Sequence, residues 1–196
     1  MPALPELAIA AALAWGSGIR LYATLFIVGL AGVYGWIDLP EHLQILQNPA
    51  VLVASGFMSF VEFFADKLPW MDSVWDAVHT FIRIPAGAAL AAAVFGDSGA
   101  GIALAAAILG GSVAGGTHFT KAGSRALINT SPEPISNWVA SATEDAALPA
   151  GLWLAVAHPL AFLLCLGILI IAAVVLARSI LKGLARLLEK LRPARA

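Results

Sequence analysis

Long apolar stretches interrupted by very few charges set the first constraint on this chain. A helix that crosses a bilayer needs about 20 mostly apolar residues. Four stretches qualify, at about 50–65, 84–96 with its flank, 99–117 and 150–177. A fifth, from about 7 to 36, is too long for one straight crossing. Of 196 residues, 60% are apolar, and only 11 Lys or Arg and 12 Asp or Glu carry formal charge. That hydrophobicity excludes disorder. A net charge of -1 excludes nucleic-acid binding through a basic face. The single cysteine, Cys165, lies in an apolar run and excludes a disulfide scaffold. What remains is an all-α, polytopic transmembrane helical bundle of about five to six membrane segments.

The near-zero net charge hides an asymmetry. Residues 1–177 hold 5 basic and 11 acidic groups, and residues 178–196 hold 6 basic and 1 acidic. We therefore read 1–177 as the transmembrane domain and 178–196 as a basic tail. Ile180, Leu181, Leu184, Leu187, Leu188 and Leu191 fall on one helical face of that tail. Such a helix suits an anionic inner leaflet, with its C-terminus cytoplasmic by the positive-inside bias. No basic residue precedes Arg20, so no secretory signal is expected and the N-terminus suits the outside. An outer N-terminus and an inner C-terminus imply five crossings; a re-entrant segment would change that parity.

The first apolar stretch is interrupted at Gly16-Ser17-Gly18, followed by Arg20. Two glycines around a serine predict a kink or an unwound break. A charge beside a helix break is a way to build an anion site. Pairing of Arg20 with Glu62 or Asp66 is the alternative. His158-Pro159 predicts a second kink, in the last span.

The informative stretch runs from Glu62 to Arg83. Pro69 is expected to end one helix, with a new one starting near Asp72 or Ser73. Asp72, Asp76, His79 and Arg83 then recur on one face, while Glu62 and Asp66 form an i, i+4 pair upstream. A charge at mid-membrane costs roughly 2.5–3.5 kcal/mol, so such groups face a cavity or a partner. His79, between Asp76 and Arg83, is a candidate proton carrier. Asp72, Asp76 and His79 also suit a divalent metal, although no known metal spacing is present. Two plainer readings stand beside these: a Ser73–Asp76 capping box and the wet face of a surface helix.

A second polar region runs from His118 to Asp145. Lys121 and Arg125 lie one turn apart, preceded by Gly110, Gly111, Gly115 and Gly116, which permit close helix packing. Ser131-Pro132-Glu133-Pro134 reads as a turn. Asn137, Ser141 and Glu144 form a further stripe, in which Ser141 and Glu144 also fit a capping box. The two regions echo one another. Ser73-Val74-Trp75 precedes Pro85-Ala86-Gly87 as Ser136-Asn137-Trp138 precedes Pro149-Ala150-Gly151, which suggests an internal duplication of a kind common in transporters.

The run Val61-Glu62-Phe63-Phe64-Ala65-Asp66-Lys67-Leu68-Pro69, with Asp72 to Arg83 and Pro85-Ala86-Gly87 after it, resembles the bacterial membrane family Domain of Unknown Function 4126. Gly16-Ser17-Gly18-Ile19-Arg20-Leu21-Tyr22 resembles that family's opening motif, in which Asn is expected at position 20. The resemblance implies a small integral protein of the bacterial cytoplasmic membrane and supplies no activity.

Function is therefore weighed from the residues. The first reading is a transporter or flippase-like carrier of a small or lipid-linked anionic substrate, acting as a homo-oligomer. Arg20, Lys67, Arg83, Lys121 and Arg125 would meet the anion. Glu62, Asp66, Asp76 and His79 would carry a coupled proton or cation, with Asp72, His118, Asn137 and Glu144 along the same pathway. The alternatives are a non-transporting scaffold or assembly factor, whose tail binds anionic lipid, and a membrane-embedded metal-dependent enzyme. No cofactor and no nucleic-acid partner are expected.

Overall fold

A computed structural model describes residues 3–130 and 135–191; within these, side chains are not described at Pro69, Ile180, Leu181 and 183–191. The expected Ser131–Pro134 turn therefore lies outside the described residues, and the six side chains of the tail's expected amphipathic stripe are among those not described. Six α-helices account for almost everything else: α1 (Leu4–Val33), α2 (Pro49–Ala65), α3 (Pro69–Val94), α4 (Ala100–Ile128), α5 (Ile135–Ala157) and α6 (Pro159–Leu191). Two short 3-10 segments, Glu41–Gln47 and Gly96–Ser98, join α1 to α2 and α3 to α4. No strand occurs among the described residues, as the all-α reading requires. The chain divides into two compact units, residues 1–163 and 164–196. The described part of the second is the rest of α6, whose Ile168, Leu169, Ile171 and Leu176 are exposed.

The expected break in the first apolar stretch is present, at Arg20, whose φ of -147° and ψ of 88° are not helical. Its effect is larger than a kink. In a straight helix Gly16 and Thr24 would be about 12 Å apart along the axis. Here a Cβ built on Gly16 would lie 2.6 Å from Thr24 Oγ1, so the two halves of α1, 4–19 and 21–33, double back beside each other. Only glycine leaves room for that approach. The break frees backbone carbonyls, and each freed group needs a donor. Lys121 Nζ donates to the Ile19 carbonyl at 3.1 Å, and Thr24 Oγ1 donates to the Arg20 carbonyl at 2.8 Å.

The doubled-back α1 is the hub of the first unit and packs against α2, α3, α4 and α5. Both of its arms point the same way along α3. Ala14 and Ser17 sit against Gly87, while Gly32 lies on Leu39 and Gln47, whose 3-10 segment places His42 on Gly96 just past α3. α3 runs along α4 through a seam of small residues, in which Gly87 meets Ala114 and Gly110 meets Ala91 and the Gly87 carbonyl. Close backbone approach of this kind replaces the hydrophobic drive that is missing between helices in lipid.

Several expected boundaries move. Pro69 does not separate a loop from a later start; it is the first residue of α3, where its missing N–H would be unpaired anyway. α3 continues through Pro85 to Val94, so Asp72, Asp76, His79 and Arg83 form the first half of an apolar-length helix, not a surface helix. Ser73 and Ser141 lie inside α3 and α5, so neither capping box forms. The expected last span at 150–177 is divided at His158, and the apolar candidate there is Pro159–Ser179. By length and composition α1, α3, α4 and α6 are long enough to cross a membrane, and the Glu41–Gln47 and α2 pair, bent by 67°, adds a fifth candidate. Large apolar side chains face outward on α2 (Phe57, Phe60) and α4 (Leu104, Ile108, Leu109). An outward apolar surface over helices of this length is that of a membrane protein.

Candidate functional site

Three parts of the first unit meet: the apex of α1 at Arg20, the α2–α3 turn at Asp66-Lys67, and the C-terminal part of α4 with the N-terminal half of α5. All five basic residues of the first 177, namely Arg20, Lys67, Arg83, Lys121 and Arg125, converge there. Six acids meet them: Glu62, Asp66, Asp72, Asp76, Glu144 and Asp145.

Arg83 lies at the centre of one half and is fully buried. Its Nη2 donates to Glu62 Oε1 at 2.7 Å and its Nη1 to Asp76 Oδ1 at 2.8 Å. Nη1 also reaches His118 Nδ1 at 3.1 Å. A guanidinium has no acceptor, so Nδ1 must accept. The His118 proton then sits on Nε2 and is donated to Thr80 Oγ1 at 2.7 Å, and Thr80 donates in turn to the Asp76 carbonyl at 2.9 Å. These partners make His118 a neutral imidazole.

The other half is built around the α1 break. Arg20 Nη2 lies 3.2 Å from Asp66 Oδ2 and 3.1 Å from Asp145 Oδ1, and donates to Ser141 Oγ at 2.9 Å. Lys121 Nζ joins the halves, at 2.6 Å from Asp66 Oδ2, 3.4 Å from Glu144 Oε2 and 3.8 Å from Asp76 Oδ1. Arg125 takes Glu144 in a two-pronged pair at 3.1 and 3.0 Å, and its Nη1 donates to the side chain and carbonyl of Asn137. Asn137 Nδ2 donates to the Asp66 carbonyl at 3.1 Å, which ties α5 to the α2–α3 turn. Lys67, Glu144 and Asp145 form a partly exposed rim, with Lys67 Nζ 3.3 Å from Asp145 Oδ2 and 3.1 Å above the Phe63 ring. Asp66 lies in the turn, outside the helices. Burial raises its carboxyl, but Lys121 and Arg20 outweigh burial and hold it below the ordinary aspartate range.

Residues 7–179 match the model of the family described as domain of unknown function, DUF4126. The chain belongs to the DUF4126 family. No curated protein and no solved structure matches it. The Arg20 of this DUF4126 chain lies at the apex of α1 and pairs with Asp66 and Asp145.

Of the thirteen residues expected along a pathway, twelve join this knot: Arg20, Glu62, Asp66, Lys67, Asp72, Asp76, Arg83, His118, Lys121, Arg125, Asn137 and Glu144. His79 stands aside. Its Nδ1 donates to the Trp75 carbonyl at 2.8 Å, and its Nε2 lies 3.2 Å from Tyr22 OH, with the Trp75 ring stacked at 4.0 Å. The triad of Asp72, Asp76 and His79 is therefore not assembled. The carboxylates that do approach, with one oxygen of each within 4.8 Å, are Asp66, Asp72 and Asp76. Sequence reasoning places Ser141 on a stripe without assigning it to the pathway, and it misses Asp145 and Thr80. The i, i+4 spacing of Ser141 and Asp145, one stripe with Asn137, is the signal that could have found Asp145.

Proposed function

We propose that this DUF4126 chain is a carrier that exchanges its internal ion pairs for a small or lipid-linked anion when the knot takes up a proton. The supporting observation is the convergence of every basic residue of the first 177 on a broken helix, in a dehydrated centre where charges are costly. Each cation there is held by carboxylates. Protonating one carboxylate releases its guanidinium or ammonium group, which then attracts an anion, and loss of the proton restores the pair and expels it. Coupling of this kind needs no further cofactor. The rim of Lys67, Glu144 and Asp145 is the accessible edge and the natural point of entry. In the same reading residues 1–177 form the body in a bacterial cytoplasmic membrane, 178–196 lie on its anionic inner leaflet, and the chain works as a homo-oligomer.

The test is proton uptake into pyranine-loaded proteoliposomes challenged with inorganic phosphate and with simple carboxylates. Wild type is expected to acidify the interior with at least one anion, and Arg20→Gln and Asp66→Asn to lose the response. Wild-type vesicles that match empty ones across the panel would overturn the carrier reading.

A further inference from the structure

The knot does not balance. Six acids meet five bases, and the hydrogen-bond partners of His118 make it neutral. Arg83, Lys121 and Arg125 reach acids on neighbouring helices, yet no basic nitrogen among the described residues lies within 4 Å of Asp72. Asp72 is nevertheless 0% exposed. Its Oδ2 accepts from Asn129 Nδ2 at 3.3 Å, and its Oδ1, fully buried, has no hydrogen-bond partner. Asp66 Oδ1 and Asp76 Oδ2 are buried and unpartnered as well. An unpaired carboxylate in such a place neutralises itself or binds a cation.

The charged groups facing Asp72 decide between these. Asp66 and Asp76, from the turn and from its own helix, repel its negative form, while Lys121 and Arg125 of α4 and the first turn of α3 favour it. Lys121 and Arg125 are already committed to Asp66 and Glu144. A metal ion is disfavoured for the same reason. Lys121 Nζ, 2.6 Å from Asp66 and 3.8 Å from Asp76, holds the cation position that those two carboxylates would share with a metal. One missing positive charge that requires no coordination shell is a proton.

We propose that Asp72 is a proton-binding site, carrying a proton on Oδ1 in this closed arrangement. Loading forms an O–H bond there at the expense of a hydronium ion in the aqueous phase, and unloading returns the proton to water. Its service as the coupling proton rests on the carrier reading above; its occupancy does not.

Infrared spectra of the full chain in phospholipid bilayers test the site. Wild type at neutral pH is expected to show a protonated-carboxyl band that shifts in D2O and is lost in Asp72→Asn. A band that persists in Asp72→Asn, or is absent from wild type, overturns the proposal. Carbon-13 NMR of aspartate-labelled wild type tests the same site without a variant: one protonated side-chain carboxyl at neutral pH supports it and none overturns it. Loss of the band on adding Na+ or Ca2+ at constant pH would also overturn it, in favour of a metal site. An intact band in vesicles that show no anion-linked proton uptake would sink the carrier and leave the proton site standing.

Discussion

At the scale of single residues the knot is a set of unequal dependencies. Arg83 serves two buried carboxylates, so removing it leaves Glu62 and Asp76 without their shared cation. Breaking a buried pair from one side costs about 3–5 kcal/mol. Arg83→Gln is therefore expected to lower stability by about that much, read by denaturant unfolding in micelles. Arg83→Lys should recover only part, because an ammonium cannot span both carboxylates as the two-pronged guanidinium does. Asp66 makes a pH prediction. Its folded value lies below its unfolded one, so its contribution is fully present above the ordinary aspartate range and is lost as pH falls through the depressed folded value. Wild type should lose stability across that acidic window while Asp66→Asn, already lacking the contribution, should change much less. Parallel pH profiles in the two proteins would refute this.

At the scale of elements, glycine placement separates packing from composition. A Cβ on Gly18 would come within 2.5 Å of the Ala114 carbonyl, a backbone atom that cannot swing aside. A Cβ on Gly116, in the neighbouring helix, would meet nothing within 4 Å. Gly18→Ala should therefore destabilise the α1–α4 contact. Gly116→Ala should be neutral or stabilising by up to about 1 kcal/mol, the helix-propensity difference. Equal thermal shifts in the two variants would show that the α1–α4 approach is not tight. α2 and the turn after it bring Glu62 and Asp66 at i, i+4, and α4 brings Lys121 and Arg125 at the same spacing. The two stripes carry opposite charge and meet directly, with Asp66 Oδ2 2.6 Å from Lys121 Nζ.

At the scale of the whole molecule, the doubling back of α1 alters how its 30 residues relate to a bilayer. Both arms run toward the same end of α3, so the chain should enter and leave this segment on one side. Cysteines placed at Leu4 and Tyr34, both exposed, in a Cys165→Ser background should label with an impermeant maleimide from the same face of intact vesicles. Labelling from opposite faces would make α1 a single crossing. The helical class, the membrane setting, the break beside Arg20 and nearly every member of the knot are legible in the order of residues alone. Apolar runs of bilayer length and scarce charges carry those signals locally. Tertiary packing sets which charges pair, that His79 leaves the stripe for Tyr22, that Asp145 belongs to the site, and that Asp72 is left over. Partner choice across α1 to α5 depends on how segments far apart in sequence meet, and no local spacing encodes that distance.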